Sequence, residues 1–545
     1  MRDFIYRHKK TESQEELLKL LKEIDSICRE NDIQYYLDSG TALGAFRHGG
    51  FIPWDDDADL AMTWENYKKF EQAVNAGTVE TKRIVVNSKS VPEQINVFGR
   101  YVNLENTKIV QSCQFWNEDA PAGQVIDIFI LLPVPRGEEA EFINLYTVYD
   151  EFQNEITRHR AGRTDEFIAL YKEMQKRSQT EGRDAVVREM EARLFDRDVQ
   201  EFDLYLYTTG GKRQALTMPR EWFEGETRYY EFEDCRLPLA PRFIEKFRME
   251  YGDDYWIMMQ TGNFKIHSDL HSAAVPAKCY IRDYMRFLNK DEVLDHRKKF
   301  KDIKVLEGWK EKESIEKIYA FESFRVARSI KSRIERENLD IQALLDSHEG
   351  SVLSDLFSEY YQKQFSSAYI YWAYIIDLPE DIMRVALLNY IEQFNGFGKV
   401  SKFFHRYREV RGEIKGALKD VEDLLDTCFY MQARFDYGEY DEGRKLLDLA
   451  EQKYSHLKCV KIGRVKYDAH DAISKDDIYR CRARIDELLT KYENDPELIK
   501  YLGDTYWKQG DEEKAFALYE RSYPDLKNGT LRLDIENKVK GAMSC

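Results

Sequence analysis

The sequence predicts an α+β domain built on a mixed sheet, followed by an all-α region of helical repeats. Short apolar runs alternate with helical periodicity over roughly the first 135 residues. Beyond about residue 291 almost every segment shows helical periodicity. Near the C-terminus a paired-helix pattern recurs. The 545 residues leave room for two to four domains with buried cores.

The elements of the first domain follow from local signals. Ser13 and Glu16 match an S-x-x-E capping box, which predicts a helix beginning at Ser13. Gly40 and Thr41 are predicted to form a small-residue turn after the first strand. Strands are predicted at residues 33–37, 57–62, 83–86, 95–102, 107–110 and 125–131, and helices at residues 64–75, ending near Gly77, and 243–251, ending at Gly252.

The domain boundaries are set by changes in pattern. Residues 1–290 are predicted to form the catalytic domain, with a charged helical insert at about 138–207. The charged stretch 290–304 is the predicted linker, and residues 305–411 form a helical region.

Residues 412–545 are predicted to form repeats that resemble tetratricopeptide repeats. In residues 495–525, small and aromatic side chains occupy the positions typical of that repeat, and residues 428–457 are a weaker copy. The turn glycines Gly438 and Gly510 are 72 residues apart, which leaves room for one degenerate repeat. An irregular helical bundle is the alternative.

The net charge and the hydropathy argue against some classes of protein. The net charge of −17 argues against a nucleic-acid-binding protein, which normally presents a basic surface. We expect no signal peptide and no transmembrane segment, because no apolar run approaches about 20 residues. The eight scattered cysteines are typical of a reducing compartment. The sequence therefore predicts a cytoplasmic protein, one that can act at the inner membrane surface through a substrate or partner.

The chemistry is concentrated between residues 35 and 62. Asp57 and Asp59 lie two residues apart in a predicted strand, so both carboxylates are expected on one face. Two carboxylates on one face are costly unless a cation lies between them, and hard oxygen ligands suit Mg²⁺ or Mn²⁺. The alternative is that the aspartates form a solvated loop.

A third acid, Asp127, interrupts an apolar strand and needs a partner there. Asp57, Asp59 and Asp127 are therefore the predicted catalytic and metal-binding residues, with Asp127 either a ligand or the general base. Arg47 and His48 either bind phosphate or pair with the aspartates.

The segment GTALGAFRHGGFIPWDDDADLAM, residues 40–62, resembles the signature of the LicD family, which includes fukutin and the fukutin-related protein. Later blocks at residues 98–110, 123–133 and 218–256 resemble the family's later motifs. The resemblance covers roughly residues 12–285. The sequence departs from the family pattern in two places, with Ile130 in place of a proline and Asp57-Ala58-Asp59-Leu60 in place of a common Asp-Ile-Asp-Ile, and neither departure removes a carboxylate.

The resemblance implies a nucleotidyltransferase-like fold. It also implies Mg²⁺-dependent transfer of a phosphorylated alcohol, such as phosphocholine or ribitol phosphate, from a CDP-linked donor to a cell-surface glycan or its precursor. By position, Gly40 and Thr41 match the family's Gly-Thr pair, and Asp57 and Asp59 match its metal-binding Asp-x-Asp. The predicted substrate-binding residues are Gly40, Thr41, Gly44, Arg47, His48 and Arg100.

Two other functions share these features. A nucleotidyltransferase that adds a nucleoside monophosphate to a sugar, small molecule or protein would use the same metal site. A degenerate scaffold would act through its helical repeats, which are also where a protein partner would dock.

Overall fold

The computed structural model describes residues 8–87, 99–109, 121–153, 165–208, 217–258, 270–272, 276, 308–347, 349–365, 375–376, 378–394 and 396–544. The chain divides into two compact units. An α+β unit comprises Arg7–Glu250 and Gln260–Trp309, and a helical unit comprises Met1–Tyr6, Tyr251–Met259 and Lys310–Cys545. The predicted linker at 290–304 lies outside the described residues.

The α+β unit is built on a mixed sheet, as predicted. Its described strands run in the order β1-β2-β6-β4-β3, with β7 pairing the end of β6 and β8 pairing β7. β2 and β6 pair in parallel, whereas the other pairings of this sheet are antiparallel. These strands are β1 Tyr36–Leu37, β2 Asp59–Thr63, β3 Arg83–Val86, β4 Gly99–Asn103, β6 Val125–Pro133, β7 Leu204–Tyr207 and β8 Thr217–Pro219.

Two smaller pairings complete the described strands. β9 Arg228–Phe232 and β10 Cys235–Leu239 form an antiparallel hairpin. β5 Thr107–Ile109 pairs antiparallel with β11 Leu270–Ser272. The helices of this unit are α1 Glu12–Glu30, α2 Ser39–His48, α3 Trp64–Thr81, α4 Glu139–Gln153, α5 Asp165–Glu181, α6 Arg183–Phe195 and α7 Phe243–Tyr251, with a 3-10 turn at Arg220–Phe223.

The start of α1 corrects one prediction. The capping box is made by Thr11 and Gln14 rather than by Ser13 and Glu16. The Gln14 N–H donates to the Thr11 hydroxyl at 3.1 Å, and the Thr11 N–H donates back to the Gln14 side chain at 3.1 Å. Both patterns fit the local sequence, and the buried side chain of Gln14 makes further contacts that fix the register.

Other boundaries also differ from prediction. The predicted turn at Gly40 and Thr41 is the first turn of α2, because Asp38 caps this helix. The helix α3 continues past Gly77 to Thr81, since a single glycine only weakens a helix. The strand β2 begins at Asp59, two residues later than predicted. The last four residues of the predicted helical insert form β7. The helix Phe243–Tyr251 was predicted correctly, and Gly252 follows it at φ +97°.

The two faces of the sheet are covered differently. Helices α1 and α3 pack against β6 on the face that carries the fully buried Leu60, Met62 and Ile128. The opposite face carries a second apolar cluster that includes Ala61 and Phe129. By strand alternation, Asp59 and Asp127 lie on this second face, beyond the end of the cluster.

The helical unit consists of α8 Gly308–Glu337, α9 Ile341–Asp346, α10 Gly350–Leu356, α11 Ser358–Gln364, α12 Glu380–Phe394, α13 Phe397–Arg411, α14 Ala417–Asp436, α15 Tyr440–Tyr454, α16 Lys458–Asp471, α17 Lys475–Lys491, α18 Pro496–Lys508, α19 Glu512–Ser522 and α20 Gly529–Ser544. The pairs α14–α15 and α18–α19 pack closely, and α16 and α17 lie between them in the chain. Within the described residues, every helix is too short or too polar to span a bilayer.

The segment Tyr251–Met259 belongs to the helical unit although it lies within the predicted 1–290 domain. Tyr255 is 1% exposed, and its hydroxyl donates to Asp436 Oδ2 at 2.7 Å. Ile257 forms an antiparallel bridge with Asn528. The segment is therefore part of the helical core.

The cysteines that the structure describes carry free thiols. They are Cys28, Cys235, Cys428, Cys459 and Cys481. The remaining cysteines, Cys113, Cys279 and Cys545, lie outside the described residues.

Candidate active site

The pairing of β2 with β6 brings two of the predicted acids together. Asp59 and Asp127 are direct neighbours in the parallel register. The Asp127 N–H donates to the Ala58 carbonyl at 3.0 Å, which fixes this register where β2 begins. Side chains of direct neighbours point to the same face of a sheet. Two carboxylates that are 68 positions apart in the chain, 59 and 127, therefore share one site.

The electrostatics of this site disfavour a second negative charge. Burial raises the pKa of Asp59 well above its ordinary value, and the nearby carboxylates of Asp57 and Asp127 raise it further. A divalent cation bound here would remove the cost of bringing these charges together. All of these donors are carboxylate oxygens, the ligands that Mg²⁺ and Mn²⁺ prefer. The residues present therefore fit a hard divalent cation.

Asp57 lies outside the strand, contrary to the prediction that β2 includes it. It precedes β2 and belongs to a second acidic group, in which Asp55, Asp56 and Asp57 each offer an oxygen within 4.8 Å of the others. The predicted set of Asp57, Asp59 and Asp127 and this second group therefore share Asp57. Strand alternation did not anticipate the second group, because it forms in a loop.

The acidic loop is held by residues that the sequence analysis did not select. The Gln14 side-chain amide donates to the carbonyls of Ile52 at 3.3 Å and Asp55 at 2.9 Å. The Lys108 ammonium donates to the Asp56 carbonyl at 3.0 Å. These bonds fix the backbone of the loop that carries the three carboxylates. The capping position of Gln14 was the available signal, but it did not reveal the loop contact.

Gly40 and Thr41 lie in the first turn of α2 beside the acids. The Thr41 hydroxyl accepts a hydrogen bond of 2.9 Å from the Asp59 N–H. A Cβ on Gly40 would lie 2.7 Å from Asp55 Oδ2, so a larger residue there would require the Asp55 side chain to shift. The N-terminal turn of a helix also presents backbone N–H groups that attract anions.

The other predicted residues of α2 lie farther along the helix. Six residues separate Thr41 from Arg47, which places them roughly 9 Å apart along the axis. Arg47 is buried, and the His48 ring packs edge-on to Trp54 with centroids 6.2 Å apart. Gly44 packs against the Gly50 carbonyl, where a side chain would collide. Gly44 therefore lies where the backbone of α2 closely approaches the backbone of Gly50.

Arg100 is the partner that the sequence required for Asp127. It lies opposite Asp127 in the β4–β6 register, and its Nε donates to Asp127 Oδ1 at 2.9 Å. Both side chains remain partly exposed, with 27% and 20% of their surfaces accessible. Arg100 therefore offsets part of the negative charge of the site.

A buried ion pair lies beneath the start of α2, and the sequence analysis missed it. Lys246 on α7 contacts the Asp38 carboxylate and also donates to Glu250 at 2.6 Å. The Tyr207 hydroxyl donates to the other Asp38 oxygen at 2.7 Å. Burial lowers the pKa of Lys246, but Asp38 and Glu250 outweigh it, so the pKa is raised overall.

The same pair supports a strained residue. Ser39 adopts φ +47°, a conformation that a serine rarely takes, and its N–H donates to Asp38 Oδ1 at 2.7 Å. The Asp-Ser sequence before Gly40 was the available signal for this N-cap. Its partner Lys246 is more than 200 residues later in the chain, where no local pattern could reveal it.

Sequence comparisons match the stretch of chain that contains these acids. Residues 32–128 match the family model of the LicD/FKTN/FKRP nucleotidyltransferase domain. This stretch contains β1, α2, β2, β4 and the first part of β6, and therefore all three predicted acids. Residues 32–128 are thus similar to the LicD family. This match confirms the resemblance that the signature segment indicated.

Individual relatives support the LicD assignment. The chain is 24% identical over 256 residues to the lipopolysaccharide cholinephosphotransferase LicD of Haemophilus influenzae, covering 43% of this chain and 87% of the relative. It is 43% identical over 61 residues to the ribitol 5-phosphate transferase FKRP of Homo sapiens, covering 11% and 12%. An uncharacterized protein of Rickettsia typhi is 43% identical over 56 residues, covering 10% and 18%. No solved structure matches the chain significantly.

Proposed function

We propose that this protein is a LicD-type phosphotransferase that moves a phosphorylated alcohol from a CDP-linked donor to a glycan. The observation that carries the proposal is the register of Asp59 beside Asp127, with Arg100 bonded to Asp127, inside the LicD-matching segment. Phosphocholine and ribitol phosphate are the candidate groups, since the relatives are named for transferring them.

The proposed roles follow from position. Asp57, Asp59 and Asp127 would hold a divalent cation, and that cation would offset charge on the donor pyrophosphate. Arg100 and the N-terminal turn of α2 would bind phosphate oxygens. Asp127 is either a third ligand or the base that accepts the proton of the acceptor hydroxyl. Arg47 and His48 would contact the substrate at the other end of α2.

The mixed sheet supports a nucleotidyltransferase-like topology for the α+β unit. Acids on adjacent parallel strands and a helix N-terminus beside them form the arrangement that such a fold would need. We propose the same topology here as the family match implies.

A tetratricopeptide-like array is proposed for the C-terminal helices. Several side-chain hydrogen bonds of these helices join residues 34 positions apart, which is the length of that repeat. Lys466 donates to Gln432 at 2.7 Å, Lys500 to Asp534 at 2.5 Å, and Lys538 to Asp504 at 2.7 Å. We propose that this array positions the acceptor, lipid-linked or free, or docks a protein partner near the inner membrane surface.

The test is product analysis with the full chain. CDP-choline, CDP-ribitol, ATP and a UDP-sugar are each incubated with Mg²⁺ and an acceptor glycan preparation. The proposal predicts CMP release from a CDP-alcohol and phosphoalcohol on the glycan, both lost in Asp59→Asn. Release of pyrophosphate, or stronger thermal protection by ATP than by CDP-alcohols, would instead favour a nucleotidyltransferase. Transfer at the wild-type rate by Asp59→Asn would refute the metal site.

A further inference from the structure

A cavity lies at the other end of the strands that carry the acids. Its volume is about 710 Å³, within the range of small-molecule sites. It is bounded by Thr63 at the end of β2 and by Pro133 at the end of β6. Thr63 is four positions after Asp59 on β2, a distance of roughly 13 Å along the strand.

The predicted helical insert builds one wall of this cavity. Helix α6 contributes Glu191 and Phe195, and the segment that follows contributes Asp198. The opposite wall is the start of α3, with Trp64 and Tyr67. The cavity thus lies between the sheet and an element outside the LicD-matching residues 32–128.

The lining is rich in negative charge. Two basic side chains, Lys68 and Arg197, line it, and Arg197 is engaged by Glu138 through bonds of 2.8 and 3.1 Å. Five acids line the same space: Glu65, Glu71, Glu191, Asp196 and Asp198. A phosphate or a nucleotide would be repelled here, whereas a cation would be attracted.

The walls are also aromatic, and one ring already faces an ammonium. The Lys68 ammonium lies 5.5 Å from the centroid of the Trp64 ring. Trp64 stacks on Tyr67 with centroids 5.7 Å apart and contacts Phe195 at 5.0 Å. The electron-rich face of an indole attracts ammonium groups, and this attraction strengthens where water is excluded. Phe202 and Tyr205 add further aromatic surface to the lining.

We infer that this cavity binds an organic ammonium group, which is either a protonated primary amine or a quaternary ammonium. Acidic side chains supply the attraction at long range, and the rings contact the apolar body of the cation. The inference rests on the proposed function for its biological meaning, since the amine would belong to an amino sugar of the acceptor. A transferred choline is excluded because a short O–C–C–N chain joins its ammonium to the reacting phosphorus, so the ammonium cannot reach the cavity while the phosphate lies at the acids. The binding site itself stands apart from the acids that carry the reaction.

The experiment uses the full chain and calorimetric titration at low salt. Choline is compared with its uncharged isostere 3,3-dimethylbutan-1-ol, and glucosamine with glucose. We expect each amine to bind more tightly than its neutral counterpart, by about fivefold or more. Tighter binding of glucosamine than of glucose, with no displacement by CDP-choline, assigns the site to the acceptor. Displacement by CDP-choline would overturn that assignment, because the lining should repel a nucleotide. Equal affinity for the charged and neutral members of both pairs overturns the inference.

Variants separate this site from the reaction centre. Glu65→Gln combined with Asp198→Asn changes two exposed rim residues and should weaken amine binding by about threefold or more. Glu201→Gln, an exposed acid outside the lining, is the matched control and should not change it. Asp59→Asn should abolish transfer while amine binding persists, so failure of the proposed activity is distinguishable from failure of the inference. Unchanged amine affinity in the double variant would also overturn it.

Discussion

The Lys246 ammonium contacts the Asp38 carboxylate directly beneath the first turn of α2. Both side chains are almost fully buried, at 6% and 1% exposure. An ion pair in this position fixes the N-cap of the helix whose next residues, Gly40 and Thr41, touch the acidic site. The site is thus supported from below by a residue of α7.

Removing one partner of this ion pair is expected to lower the free energy of unfolding. Lys246→Met leaves Asp38 buried without its cation, and we expect a loss of about 3–5 kcal/mol in the free energy of unfolding. Urea denaturation measures it. Lys22→Met is the matched control, because Lys22 pairs with Asp234 at the surface and should cost at most about 1 kcal/mol. Equal costs for the two variants would show that the buried pair does not support the fold.

Removing a negative charge from the acidic site should have opposite effects on stability and activity. In Asp59→Asn the neutral amide avoids the repulsion of Asp57 and Asp127, so the melting temperature without Mg²⁺ should rise. Thermal stabilisation by Mg²⁺ should disappear, together with CMP release. Asp32→Asn, an exposed change outside the site, should keep both. Undiminished stabilisation by Mg²⁺ in Asp59→Asn would contradict the cation assignment.

The hydrogen bond from Tyr255 to Asp436 should stabilise the helical unit. Tyr255→Phe keeps the ring and removes the donor, leaving a carboxylate oxygen without its 2.7 Å bond. We expect a loss of about 1–3 kcal/mol, measured by urea denaturation. Tyr479→Phe, at a 57% exposed position, should change stability by less than about 0.5 kcal/mol. A similar change in both variants would show that Tyr255 contributes through its ring alone.

The contact between Tyr255 and Asp436 also affects the expected solubility of a truncated chain. A chain ending near residue 290 would keep Tyr255 but lose Asp436 and the helices around it. We therefore expect that truncation to expose apolar surface and aggregate, which light scattering would detect. A soluble, monomeric fragment would show that Tyr251–Met259 does not depend on the helical unit.

The pH dependence of stability should reflect Glu497. Burial raises its pKa from 4.5 to about 7, Asp495 adds to the rise, and Lys466, Lys458 and Lys500 oppose it. The folded state therefore holds this proton to higher pH than the unfolded state. Its stabilising contribution is present below about pH 4.5 and is lost as the pH rises through about 7.

The variant Glu497→Gln isolates this effect because glutamine stays neutral at every pH. We expect it to match the wild type near pH 5 and to be more stable by roughly 1–2 kcal/mol at pH 8, since the side chain is partly exposed. Melting curves at the two pH values measure the difference. A gain of equal size at both would show that ionisation of Glu497 is not its source.

Local sequence patterns were sufficient to predict some of the helices and strands. The strand Arg83–Val86 and the helix Phe243–Tyr251 were predicted with their observed bounds, since a short run of β-branched residues defines the strand and a following glycine ends the helix. Asp127 was recognised because a charge inside an apolar strand is conspicuous. The first turn of α2 was predicted wrongly, because glycine and threonine suit both a turn and a capped helix.

By itself, the sequence determined the α+β character of the first part, the three acids and the LicD resemblance, all of which depend on residue type and short-range spacing. Only the tertiary structure decided what those residues meet. The parallel pairing of β2 and β6 set Asp59 beside Asp127, and Arg100 came from a third strand. The contact between Asp38 and Lys246 spans 208 positions. Such contacts depend on how whole helices and strands pack together. Periodicity along the chain is a local property, so it cannot predict which distant residue will pair with a buried charge.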